Sequence, residues 1–323
     1  TIFSKVYRGP VSAAEKIVHT FSNDFMEKLT GKPGIFTTKI VVSSDKLRKG
    51  TKEIFTMNWD GSESRAITDD KTISISPSWS PNGRYIAYTS FAYHKKAKRR
   101  NIDLFIYDVQ SGVAKPLSYL TGINSGAAFT RDSNHLILTI SNAGIPDLFK
   151  IRISGGRAER LTRGKAGAMS VEPSVSPDDR FILFSSDRGG RPAVYVMPST
   201  GEMGGSPAKP VVNIGKYNAS PVWSPDGKRL AFAGYVEGHF DIFTANLDGT
   251  DIKKRTEARI IGSKKWSDNE EPSWSPDGRY ILFVSNRDGN RQIYRVNADG
   301  TNERRVTDDR HNYYKPQWSP YLN

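Results

Sequence analysis

An all-β fold, a six-bladed β-propeller with a short N-terminal helical segment, is predicted by three features of this sequence. One unit recurs six times at spacings of 44–51 residues, the period of a propeller or a solenoid. Inside each unit, turn residues alternate with short apolar runs in the order of four strands. The first and last units are incomplete, and each supplies what the other lacks.

The unit is plainest at Pro77-Ser78-Trp79-Ser80-Pro81-Asn82-Gly83, at Pro221 through Trp223-Ser224-Pro225-Asp226-Gly227, and at Pro272 through Trp274-Ser275-Pro276-Asp277-Gly278. Pro173-Ser174-Val175-Ser176-Pro177-Asp178-Asp179 is a variant, and Ala127-Ala128-Phe129-Thr130-Arg131-Asp132-Ser133 is a degenerate copy. Pro316-Gln317-Trp318-Ser319-Pro320 is the last. Proline presets the first residue of a tight turn and glycine accepts positive φ, so each Pro-Asp-Gly step predicts a hairpin. An apolar strand follows it, then a loop and a third strand such as 292–296. A second turn such as Ala298-Asp299-Gly300 leads to an outer strand such as 304–307.

In chain order, residues 1–35 stand outside the repeat as the expected end of an N-terminal α/β domain. Apolar residues at Ala14, Ile17, Val18, Phe21, Phe25 and Leu29 predict a helix over about 13–30, with Gly31 as its stop. Its apolar stripe should pack on the propeller or on a domain missing here. The propeller is expected over 36–323. Segments 38–43, 53–58 and 64–68 read as the second, third and outer strands of a unit without an inner strand, and Pro316 onward reads as an inner strand without the rest. Pairing the two closes the ring and removes two open sheet edges.

Composition narrows the function. The 323 residues carry a net charge of +13 and a pI near 9.7, which favours acidic partners. No apolar stretch approaches the roughly 20 residues of a membrane helix, so a membrane-spanning chain is not expected. Cysteine is absent, which excludes thiol catalysis, disulfides and thiolate metal sites. The five histidines, His19, His94, His135, His239 and His311, form no His-Glu-x-x-His pattern, and no Gly-x-Ser-x-Gly elbow or phosphate loop occurs. No catalytic residue, metal ligand or cofactor is therefore assigned. The Asp-Gly steps at Asp60, Asp248 and Asp299 lack the ligand alternation of a calcium loop and read as turns. The recurrent Trp79, Trp223, Trp274 and Trp318 read as packing between blades.

The Trp-Ser-Pro-Asp-Gly units resemble the propeller repeats of the TolB family and those of prolyl oligopeptidase-like serine peptidases. The entry segment, Phe25-Met26-Glu27-Lys28-Leu29-Thr30-Gly31-Lys32-Pro33-Gly34-Ile35-Phe36-Thr37-Thr38-Lys39-Ile40, is similar to the passage from N-terminal domain to propeller in the TolB family, and Pro316 to Asn323 is similar to that family's terminus. The resemblance covers essentially the whole chain. It implies a non-enzymatic periplasmic hub of the Tol-Pal envelope system, expected to be a monomer. The peptidoglycan-associated lipoprotein would dock at one mouth of the channel, and TolA would engage an N-terminal segment absent here. A strongly basic charge and the missing N-terminal domain depart from the family pattern.

Antiparallel order puts the loops between blades on the same face as the loops between second and third strands. That face is the expected docking mouth. The first group of loops offers Ser74, Ile75, Asn124, Ser125, Ser170, Glu172, Tyr217, Asn218, Asn269, Glu270, Tyr313 and Tyr314. The second offers Arg188, Arg191, His239, Arg287 and Arg291. Arginine and tyrosine bring large contact area and directional hydrogen bonds to interfaces. The basic run His94-Lys95-Lys96-Ala97-Lys98-Arg99-Arg100 lacks an interleaved aromatic platform and reads as a solvated insert, so no nucleic-acid partner is expected. A peptidase propeller without its hydrolase domain is the alternative to the scaffold.

Overall fold

A computed structural model describes residues 3–94, 98–141, 144–163, 167–204, 206–260 and 265–322. Lys95, Lys96 and Ala97 of the basic run lie outside the described residues. Six four-stranded antiparallel sheets form the propeller. Blade 1 orders Tyr313–Trp318, Lys39–Ser44, Glu53–Asn58 and Arg65–Ala66 from the axis outward. Blades 2 to 6 begin with inner strands Ser74–Trp79, Asn124–Phe129, Ser170–Val175, Tyr217–Trp223 and Asn269–Trp274, and each is continuous in sequence. In blade 2 a small hairpin, Tyr93–His94 against Arg99–Arg100, rises between the second and third strands.

The two distant segments of blade 1 meet in register, with Ile40 opposite Trp318 and Ser44 opposite Tyr313. Ser319 N–H donates to Lys39 O at 2.8 Å, and the Lys39 N–H donates to Ser319 Oγ at 3.0 Å. Trp318, 5% exposed, donates its indole N–H to Thr38 Oγ1 at 2.7 Å.

The Ser-Pro-Asp-Gly steps fold as their chemistry requires. Ser224 Oγ donates to Asp226 Oδ1 at 2.6 Å, and the same carboxylate oxygen accepts Lys228 N–H at 3.1 Å, which tightens the turn. Gly227 sits at φ 69°, and Ser133 and Asp179 take the equivalent left-handed position at φ 59° and 60° in the degenerate copies. A non-glycine residue there costs roughly 1–2 kcal/mol, yet the Thr130 and Ser176 hydroxyls still close both turns by donating to Asp132 and Asp178.

A second repeated device ties outer strands to third strands. Glu53, Asp147 and Asp241 are buried at the start of third strands, where they accept the hydroxyls of Thr68, Thr162 and Thr256 at 2.6, 2.7 and 2.8 Å. Each threonine oxygen in turn accepts a third-strand N–H at 2.9 Å. The carboxylates are buried because hydrogen bonds replace their water.

Between neighbouring blades lie six apolar clusters, one per seam. Val41, Ile54, Trp79, Ile86, Tyr88 and Tyr107 fill the seam of blades 1 and 2, and Ile40, Val42, Leu282, Ile293 and Trp318 belong to that of blades 6 and 1. Trp223 donates from Nε1 to Ser174 O of the preceding blade at 3.0 Å, so this repeated tryptophan links sheets as well as filling space.

Helix α1, Ala14–Thr30, ends at Gly31 with φ 70° and its N–H on Glu27 O. Its apolar stripe does not pack into the propeller core. No residue of α1 is buried, and the stacked Phe21 and Phe25 rings meet Phe3 and Tyr7 of the preceding strand-free segment. Contact with blade 1 is largely polar or edge-on, through Glu15, His19 and the ring of Trp59. Val18, Phe21, Phe25 and Leu29 of the stripe stay substantially exposed.

Because ring closure rests on one inner strand, Trp318→Ala is expected to cost about 3–5 kcal/mol. Urea unfolding monitored by circular dichroism checks this, with a surface change such as Lys150→Ala as the reference.

Candidate partner-docking mouth

The left-handed φ that hairpin turns need also appears where no turn exists. Ser76, Gly126, Glu172, Ser220, Glu271 and Lys315 occupy one position in the six inner strands, with φ between 48° and 60°. At each, the pairing with the second strand or its counterpart slips by one residue. Such a bulge re-aims a side chain. Here all six residues line a cavity of about 340 Å³ on the axis, whose walls include Pro77, Pro173, Pro221, Pro272 and Pro316. Proline brings no N–H to leave unpaired at this apolar wall.

Charge is concentrated at this waist. Lys315 of blade 1 reaches across the axis to blade 4, placing Nζ 2.6 Å from Glu172 Oε1, and donates to Ser220 Oγ at 2.7 Å. Ser220 N–H and Oγ–H donate to the same carboxylate at 2.7 and 3.0 Å. Glu271 Oε2 accepts the Lys315 N–H at 2.7 Å. Burial alone would raise the Glu172 carboxyl, but the Lys315 ammonium and the Ser220 donors outweigh it and hold the value at about 2. Burial would lower the Lys315 ammonium, yet Glu172 and Glu271 keep it above the usual lysine value. Both side chains keep about a third of their surface open to the channel, so water screens the pair.

Above the waist, Arg291 bonds Glu270 at 2.9 Å and Glu271 at 3.4 Å, and its guanidinium carbon lies 5.1 Å from the centre of the Tyr314 ring. Lys52 Nζ lies 3.5 Å from the same ring centre. Burial and then the Arg291 charge lower the Lys52 ammonium. Together Lys52, Arg291 and Tyr314 make a cationic and aromatic ledge over an acidic pair, suited to grip a carboxylate or a main-chain carbonyl of a docked segment.

The structure corrects much of the expected contact set. Ser74, Asn124, Ser170, Asn269 and Tyr313 are the buried first residues of the inner strands, and Asn218 the buried second residue of its own, rather than exposed loop anchors. Five of them stitch the rim: the N–H groups of Ser74, Asn124, Ser170, Asn218 and Tyr313 donate to Lys52, Ile102, Pro146, Pro192 and Arg291 carbonyls of the preceding blade at 2.7–3.0 Å. Asn269 instead donates from Nδ2 to Asp241 Oδ1 at 2.8 Å. Arg188 and Arg287 are also committed inward. They donate to Ser170 Oγ and Asn269 Oδ1 at 3.1 and 3.0 Å, pair with Glu202 and Glu303, and cover Tyr195 and Tyr294. His239 is buried, 3.2 Å from Asp241 Oδ2, under a stacked Trp266 that is 49% exposed.

Ile75, Ser125, Glu172, Glu270, Arg291 and Tyr314 remain part-exposed at the mouth or waist, and Tyr217 and Arg191 stand farther out on the same face. Lys52, Ser76, Ser220, Glu271, Lys315 and Trp266 were missed. Most were findable, since Ser76, Ser220, Glu271 and Lys315 each directly precede the proline that opens a repeat.

Comparison with known proteins follows the same architecture. A family model described as the TolB beta propeller domain matches residues 26–206 and 202–322. A Chlorobium chlorochromatii TolB homolog is 34% identical over 187 residues, which is 58% of this chain and 40% of that relative. The Tol-Pal system protein TolB of Francisella tularensis subsp. mediasiatica is 28% identical over 96% of this chain and 70% of its own length. The crystal structure of TolB from Acinetobacter baumannii superposes with a TM-score of 0.81 at 21% identity, over 99% of this chain and 76% of that one.

The Glu172 shift sets a pH dependence. A carboxyl held below its ordinary 4.5 stabilises the fold above that value and loses the contribution as pH falls towards about 2. Lys315→Met is expected to cost about 1–2 kcal/mol at pH 7, less than a fully buried pair. The deficit should shrink between pH 4.5 and 2, as measured by urea unfolding across that range.

Proposed function

Since the chain belongs to the TolB β-propeller family, we propose that it is a non-enzymatic, periplasmic docking scaffold of a Tol-Pal system, binding the peptidoglycan-associated lipoprotein at the mouth carrying Lys52, Arg291 and Tyr314. The observation that carries this reading is the ledge itself. Two cations flank one aromatic ring above the Lys315–Glu172 pair, so a partner is offered a seat with fixed charge. A rigid ring supports it, because rim stitches and seam clusters leave little to reorganise on binding, which lowers the entropic cost of association.

The relatives' names and the +13 net charge support the choice of partner class. An acidic surface would meet this chain with favourable long-range attraction and a faster on-rate. Residues 1–35 fit the end of an α/β domain in this reading, with α1 as its last helix.

Titration calorimetry with the soluble domain of the lipoprotein from the same organism tests the proposal. Saturable one-to-one binding is expected, and Tyr314→Ala and Lys52→Ala should each weaken it at least tenfold, about 1.4 kcal/mol. No binding at high protein concentration, or affinity untouched by both substitutions, counts against the mouth.

A further inference from the structure

On the opposite face of blade 1, where α1 lies over the turn between third and outer strands, three ligand-type side chains converge. Glu15 and His19 stand one helical turn apart, four residues along α1, and so share a face. Asp60 comes from the propeller turn beneath. One ligand atom from each of the three can be chosen so that all lie within 4.8 Å of one another. His19 Nε2 is already 3.1 Å from Asp60 Oδ2. With zinc bonds of about 2.0–2.2 Å, tetrahedral ligand atoms sit roughly 3.3–3.6 Å apart, a spacing that small side-chain adjustments reach from this arrangement.

We propose that Glu15, His19 and Asp60 bind one divalent transition-metal ion, Zn²⁺ by ligand type, which staples α1 to the propeller. One imidazole nitrogen and two carboxylates suit a borderline cation, leave a fourth position for water, and balance its charge. Hard ions such as Ca²⁺ and Mg²⁺ prefer more oxygen ligands than these residues offer.

The surroundings act as an outer shell. Asp60 Oδ1 accepts Ser62 N–H and Oγ–H at 3.1 and 2.7 Å, which leaves Oδ2 facing His19. Asn58 Nδ2 donates to Glu15 Oε1 at 3.2 Å and to Ser62 Oγ at 2.9 Å, while its own Oδ1 accepts from Lys39 Nζ at 2.9 Å. The His19 ring meets Trp59 edge-on with centroids 6.2 Å apart. Gly61, at φ 91°, holds the turn against blade 6, where a Cβ would come within 2.4 Å of Val306 O. Ligands oriented in this way lose little freedom on binding. The site also answers a structural need, since α1 buries no residue and otherwise touches blade 1 through few contacts.

Zn²⁺ titration of the purified chain against a chromogenic chelator, with hydrogen exchange of residues 3–30 followed in parallel, tests the staple. One tightly bound ion per chain is expected, with slower exchange in α1 once the ion is present. His19→Ala and Asp60→Asn should each weaken binding more than tenfold and abolish the slowing, and Ser62→Ala should weaken it about tenfold through the outer shell. His135→Ala should change nothing. Absence of a one-to-one site in the unmodified chain, unchanged affinity in His19→Ala and Asp60→Asn, or equal competition by Mg²⁺ overturns the proposal. Thermal melts of the variants without metal separate loss of ligand from loss of fold.

Discussion

A six-residue inner strand at the far end of the chain, four of its residues paired with Lys39–Ser44, holds this molecule in a circle. Tyr313–Trp318 pairs with Lys39–Ser44, and without it blade 1 would present an open inner edge to the axis and blade 6 an uncovered face. Closing a loop of that length costs entropy that rises only slowly with chain length, and a single strand with a buried tryptophan is enough to meet it. Every seam cluster then has two neighbours, and none sits at a frayed end.

Closure also explains why polar chemistry is so repetitive. In a ring, each blade must solve the same three problems: turning tightly near the axis, fastening a short outer strand, and joining the next blade. A hydroxyl with aspartate or asparagine solves the first in blades 2 to 6, threonine with a buried acid the second in blades 1, 3 and 5, and a main-chain N–H crossing the rim the third at five of the six inner strands. The outer strands are only two residues long in four blades, and in three of these, blades 1, 3 and 5, the threonine device adds holding power that strand pairing lacks.

The fold was legible because its signals are local and multiplied. The Ser-Pro-Asp-Gly turn states its own geometry, and even Ser133 and Asp179, which break the glycine rule, keep the flanking hydroxyl and carboxylate. The mouth was less legible because position along a strand does not reveal direction. Asn124 and Asn218 look like loop residues from composition, but each turns inward to bond carbonyls, and their neighbours face the channel. Lys315 and Glu172 are 143 residues apart, and no pattern in either segment announces that they meet. The helix is legible almost to the residue, but what covers its apolar stripe is not, since periodicity gives a face and not its partner.

The bond between Lys315 and Glu172 joins sectors three apart in a ring of six, and so lies along a diameter. Hoops without a spoke deform most easily into ovals, by widening on one axis while narrowing on the other. A spoke resists that mode and leaves twisting and doming comparatively free.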